Sequence, residues 1–180
     1  ITPLTTGGRV ITAALIISGL SVIAFFTSII VASFNEKMNE FQQQRIKGSI
    51  EKFQNSIILC GFGRVGQEIA QQLHDNNRNF IIIDNNPLHV ELALEKGYMA
   101  LYEDASNNKT LLQAGITHCA TDVLCVTGSD VTNVYITLTS RYLNPDINII
   151  SRINRIDNEK KLYQAGANHI VQPFAIAGLL

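Results

Sequence analysis

The chain has 180 residues with 14 Lys and Arg against 15 Asp and Glu, a formal net charge of −1 that offers no basic surface for nucleic acid. Hydrophobic residues make up 46% and charged residues 16%, a balance that excludes intrinsic disorder and points to a membrane segment. Cys60, Cys119 and Cys125 form an odd set without CxxC or Cys/His spacing, which supports neither a disulfide framework nor a zinc site and fits a reducing compartment.

The chain begins at Ile1 and ends on an apolar run at Leu180, and it reads as part of a longer protein. From Val10 to Phe34 there are 25 uncharged residues, 14 of them Leu, Ile, Val or Phe. A helix of that length reaches about 37 Å, enough to cross a bilayer with some tilt. Each large apolar residue favours insertion by about 0.3–0.6 kcal/mol, which outweighs the six Ser and Thr in the segment. A signal peptide has a shorter apolar region and a buried core helix is rarely uncharged for so long, so residues 10–34 are predicted to span a membrane. Only Arg9 precedes the span, whereas Lys37, Arg45, Lys47 and Lys52 follow it. The positive-inside bias then puts the rest of the chain in the cytoplasm. Residues 35–55 carry seven charges and a Gly48-Ser49 break, and are read as a polar connector.

Beyond the connector, short β-branched runs alternate with helical patterns, the sign of a parallel α/β sheet. Strands are predicted at 56–60, 80–84, 99–102, 122–126, 147–151 and 169–171. Between them Val65, Ile69 and Leu73 repeat at helical spacing, as do Val131, Val134, Tyr135, Leu138 and Tyr142. Gly97, Gly115 and Gly166 stand where helices should stop. Six strands and five crossover helices predict a doubly wound, Rossmann-like sheet over residues 56–174, with 175–180 opening a further helix.

The first strand runs straight into Gly61-Phe62-Gly63-Arg64-Val65-Gly66, a GxGxxG opening a helix inside a βαβ unit. Gly61 would permit the tight turn and Gly63 the approach of a pyrophosphate. Gly66 would let helix pack on strand, and the helix N-terminus would offer N–H groups to phosphate. Asp84 ends the second strand 23 residues after Gly61, where a carboxylate can accept both hydroxyls of an adenine ribose. That carboxylate repels a 2′-phosphate, and no Arg or Lys occurs among Asn85, Asn86 and Pro87, so NADP is disfavoured while NAD, ADP, ATP and AMP stay open.

Further candidates lie at the carboxyl ends of later strands, where ligands of open α/β sheets collect: Asp104 and Ala105, Thr127 and Gly128, and Arg152. Arg64 either reaches a phosphate or is a solvated residue of the first helical turn. Ser129 or Asp130 either caps the next helix or meets the ligand, and Arg152 meets either a phosphate or a subunit interface. Glu103 and Asp104 are candidates for a regulatory divalent cation with help from another subunit. His74, His89, His118 and His169 share no partner and are read as structural. Cys60 and Cys125 lie in strands and are read as inert buried thiols, and no catalytic constellation appears, so the chain is not expected to be an enzyme.

Taken together these residues resemble the RCK domain (regulator of K⁺ conductance, also TrkA-N or KTN) of a ligand-gated potassium channel, joined to the channel's inner helix. The resemblance is carried by Gly-Phe-Gly-Arg-Val-Gly at 61–66, Asp84, Asp104-Ala105-Ser106, the helix from Asp130 to Tyr142, and Asn144-Pro145. It continues through Ile150-Ser151-Arg152 and Lys161-Leu162-Tyr163-Gln164-Ala165-Gly166-Ala167, followed by Pro173. Residues 1–9 resemble the stretch after a potassium selectivity filter, and Glu103 departs from the family's usual glycine. The resemblance implies a pore-lining helix at 10–34 with Gly19 as gating hinge. It also implies a homotetramer with a ring of such domains, in a multi-pass protein of the inner (plasma) membrane, gated when a nucleotide binds the Rossmann cleft. The cofactor-binding residues would then be Gly61, Phe62, Gly63, Arg64, Val65, Gly66, Asp84, Asn85, Asp104, Ala105, Thr127, Gly128 and Arg152. Two rivals differ in what surrounds the domain: the regulatory domain of a Trk-type or glutathione-gated K⁺ transport system, and a membrane-anchored NAD-dependent oxidoreductase.

Overall fold

The structure, a computed structural model, describes residues 7–8, 10–28 and 54–172. Residues 1–6 and 9 of the stretch likened to a post-filter segment, the expected connector up to residue 53, the end of the apolar run at 29–34, and 173–180 with Pro173 lie outside the described residues. The chain divides into two compact units, Ile1–Gln44 and Arg45–Leu180.

The first unit holds helix α1, Val10–Ser28, 19 residues long and therefore about 28 Å, close to the thickness of a bilayer's hydrocarbon core. Four of its hydroxyls, on Thr12, Ser18, Ser21 and Thr27, are bonded to carbonyls of the preceding turn. Thr12 donates to the Gly8 carbonyl, Ser21 to Ile17 and Thr27 to Ile23, each at 2.8 Å, which satisfies them inside the helix as an apolar surrounding demands. Gly19 sits mid-helix, and a Cβ there would meet nothing in this chain within 4 Å.

In the second unit the strands are β1 (Ser56–Cys60), β2 (Phe80–Asp84), β3 (Met99–Tyr102), β4 (Ala120–Cys125), β5 (Asn148–Arg152) and β6 (His169–Val171). They are joined through α2 (Arg64–Asp75), α3 (Pro87–Glu95), α4 (Asn108–Gln113), α5 (Asp130–Leu143) and α6 (Glu159–Ala165). The sheet is parallel in the order β3-β2-β1-β4-β5-β6, the doubly wound topology that the alternating pattern predicts. β1 and β2 are buried along their whole length, because helices cover both faces and such strands read as unbroken apolar runs. Ile58, Ile83 and Val123 pack on one side with Leu111 and Ile136, and Leu59, Ile82 and Phe62 on the other with Ala70 and Val90.

Two strand boundaries shift from expectation. β4 starts at Ala120, where it pairs with Ser56, and the chain leaves the ladder at Val126. β5 starts one residue later and runs to Arg152, because Ile147 belongs to the preceding turn, bonded to the Asn144 carbonyl, while Arg152 pairs with Val171. Most of the apolar repeat that marks α5 as a helix faces outward: Val131, Tyr135, Leu138 and Tyr142 are 47–78% exposed, and Val134 packs half-buried beside Ile153 and Leu162. The inner face carries polar Asn133, Thr137 and Ser140, all fully buried.

Candidate nucleotide-binding site

The winding reverses between β1 and β4, and the crevice outside their carboxyl ends is where an open α/β sheet takes its ligand. Here it is a cavity of about 960 Å³. Gly61 turns the chain out of β1 at φ +103°, a conformation costly for any side chain, and a Cβ there would stand 3.0 Å from the Thr127 backbone. Gly66 lies where α2 crosses that turn, so a Cβ would sit 2.0 Å from the Gly61 carbonyl oxygen. Gly63, the residue before α2, has open space where its Cβ would be. That cradle fits a diphosphate, since the first N–H groups of a helix have no partner within it.

Of the expected ligand residues, Gly61, Gly63, Arg64, Val65, Asp84, Asn85, Asp104, Ala105, Thr127, Gly128 and Arg152 line this one cavity. Two do not. Phe62 is fully buried with its ring against Tyr98, so only its backbone serves the site, and Gly66 serves the helix crossing. The Asp84 carboxylate, at the end of β2, accepts from the Phe62 N–H at 2.5 Å and the Asn86 N–H at 2.8 Å. Asp104 accepts from the Ser106 N–H and hydroxyl, and Glu103 stands beside it on the cavity wall. Among the described residues no three His, Cys, Asp or Glu gather as a metal would need.

Ser129 proves to be the cap of α5, accepting from the Thr132 N–H. Asp130 accepts instead from the Asn154 N–H and side chain, the Arg155 N–H and the Asn158 side chain, tying α5 to the segment after β5. Burial alone would raise its pKa, but the bonds from Asn158, Asn154 and Arg155 outweigh burial and hold the carboxyl below the usual range. A carboxyl depressed on folding lends stability above its unfolded value of about 3.9, and loses it as pH falls through the folded value. Asp130→Asn should therefore melt lower than the parent protein at pH 7, with the gap closing below about pH 4; thermal melts across pH 2–7 check this.

Two residues of the site escape sequence reasoning. Asn133, fully buried on α5, accepts from both the Thr127 N–H (3.1 Å) and hydroxyl (2.7 Å) and donates to the carbonyls of Thr127 and Arg152. It holds two strand ends with one side chain; the signal was a polar residue on what looked like an apolar helix. His89, on the first turn of α3, places Nδ1 3.1 Å from Asp84 Oδ2, so it is not partnerless as its sequence context implied. Below the glycine turn, Cys60 and Cys125 face each other in register. Burial pushes the Cys125 thiol up to about 12, against a smaller opposing effect of the Thr137 hydrogen bond, and burial raises Cys60 as well.

Residues 57–173 match the TrkA-N domain family, nearly all of the second unit. The chain belongs to that family. The TrkA-N chain is 32% identical over 182 residues to potassium channel protein 1 of Methanocaldococcus jannaschii, an alignment covering 99% of the chain and 54% of the channel protein. It is 30% identical over 125 residues to the glutathione-regulated potassium-efflux protein KefC of an Enterobacter species, covering 69% of the chain and 20% of KefC. Among solved structures, GsuK bound to ADP superposes with a TM-score of 0.60 at 28% identity, covering 77% of this chain and 36% of that one. The TrkA-N chain thus spans about half the length, or less, of the curated relatives it matches.

Proposed function

We propose that the chain carries the pore-lining helix, the connector and the nucleotide-sensing domain of a potassium channel subunit, and that a nucleotide in the cleft gates the pore. The carrying observation is the reach of the channel alignment, which covers 99% of the chain and so includes α1, whereas the KefC alignment is confined to 125 residues. The KefC match favours the second reading, a regulatory domain of a K⁺ efflux system, for the domain alone. In either setting the domain acts as a sensor and not as a catalyst.

The Gly61–Gly66 turn and the α2 N-terminus would hold the diphosphate, with Arg64 and Arg152 as counter-charges and Asp84 on the ribose. The ADP named in the GsuK structure supports an adenine nucleotide, NAD or ADP, and Asp84 disfavours NADP. The apolar outer stripe of α5 supports association between copies of the domain, as a homotetramer requires, because clustered large apolar side chains are seldom left in water. Gly19 would supply the hinge in α1, and the basic residues after the span favour a cytoplasmic sensor. Gating requires that the nucleotide bind the open and closed states unequally. The test is rubidium flux from vesicles holding the full-length subunit, with ADP or NAD added on the domain side. A changed flux is expected; flux indifferent to both nucleotides overturns the reading.

A further inference from the structure

An ionised carboxylate offers about four acceptor positions, two on each oxygen. At Asp84 three of them are taken within the chain. Oδ2 receives the Phe62 N–H at 2.5 Å and His89 Nδ1 at 3.1 Å, and Oδ1 receives the Asn86 N–H at 2.8 Å. Because a carboxylate only accepts, Nδ1 is the nitrogen that carries the proton. A ribose diol donates two hydrogen bonds, and one position is left for them.

The three internal donors are not equally able to yield. Those of Phe62 and Asn86 are backbone groups, the first in the glycine turn and the second in the residue that caps α3. His89 is a side chain on two rotatable bonds, 34% exposed, at the cavity wall. We propose that His89 competes with the nucleotide's ribose for Asp84, so that the site reads one hydroxyl of the diol, and His89 is the residue that sets this specificity. The inference rests on the nucleotide reading above and adds to it which part of the ligand is recognised weakly.

The consequence is measurable with ADP, 2′-deoxy-ADP and 3′-deoxy-ADP titrated calorimetrically into the full-length subunit. In the parent protein ADP and the better of the two deoxy analogues should bind within about twofold, since the missing hydroxyl had no partner. His89→Leu frees the second position on Oδ2, and ADP should then exceed both analogues by about tenfold, the size of one hydrogen bond to a charged group. His89→Asn, whose amide N–H stands where Nδ1–H stands, should restore the parent ratio. A ratio that His89→Leu leaves unchanged, or a parent protein that already rejects both analogues tenfold, overturns the proposal. A residue that merely steadied Asp84 would weaken all three ligands alike on removal, which overturns it too. If the parent protein binds none of the three, the nucleotide reading itself falls and takes this inference with it.

Discussion

Gly66→Ala should cost the α/β domain about 3 kcal/mol or more, seen as a melting temperature lower by roughly 10 °C or more. The added methyl would lie 2.0 Å from the Gly61 oxygen and 2.9 Å from its carbonyl carbon, and both are backbone atoms. No side chain can swing aside to accommodate it. Either α2 lifts from the sheet, exposing Ala70 and the apolar surface around it, or the turn at Gly61 opens, and that turn is already pressed against Thr127. Overpacking commonly costs 1–3 kcal/mol, and the top of that range applies where only backbone can move. Against a total stability of about 5–15 kcal/mol the loss is severe. Gly63→Ala is the control. Its methyl enters open space, so the melt should stay near the parent while nucleotide affinity falls.

Asp84→Ala should weaken ADP and NAD binding by about tenfold, the loss of the one charge-assisted hydrogen bond that the carboxylate has left for the ribose. The Asn86 N–H loses its acceptor beside a cavity that water can enter, and the buried Phe62 N–H loses the acceptor it had, at a cost of about 1–3 kcal/mol. That is less than the stability of a typical domain, so the domain should stay folded and melt somewhat lower. A calorimetric titration paired with a thermal melt separates the outcomes: lost affinity with a cooperative melt supports the assignment, and unchanged affinity refutes it.

The sheet was legible because each of its signals is local. Ile57-Ile58-Leu59 and Ile81-Ile82-Ile83 are unbroken apolar runs, as strands covered on both faces must be, and glycines follow α3, α4 and α6 at positive φ. The glycine turn and Asp84 were legible because a diphosphate and a ribose impose fixed spacing on them. What escaped was side-chain partnership across elements. His89 follows Asp84 by five residues, a distance that means nothing until a strand end and a helix start set the two together. Asn133 carries no role of its own in the helical pattern, and Asp130 reads from sequence as a cap or a ligand contact. They are the buried polar face, since the loop after β4 and the end of β5 bring backbone groups that need partners there. Phe62 sits inside the fingerprint, yet its ring belongs to the core, because the pattern constrains the backbone at that position and leaves the side chain free to pack.

Cys60 and Cys125 sit one residue behind the floor of the cleft, which Gly61 and Val126 line, each at the last residue of its strand and just before the turns that would touch phosphate. Both are fully buried, and a thiol held near 12 has almost no thiolate with which to react at neutral pH. They therefore act as a clock. Any alkylation of these two sulfurs in the native protein counts the moments when the floor comes apart, and a ligand that clamps the turns above would slow the count. Cys119, partly exposed, would label ahead of them and serve as the reference.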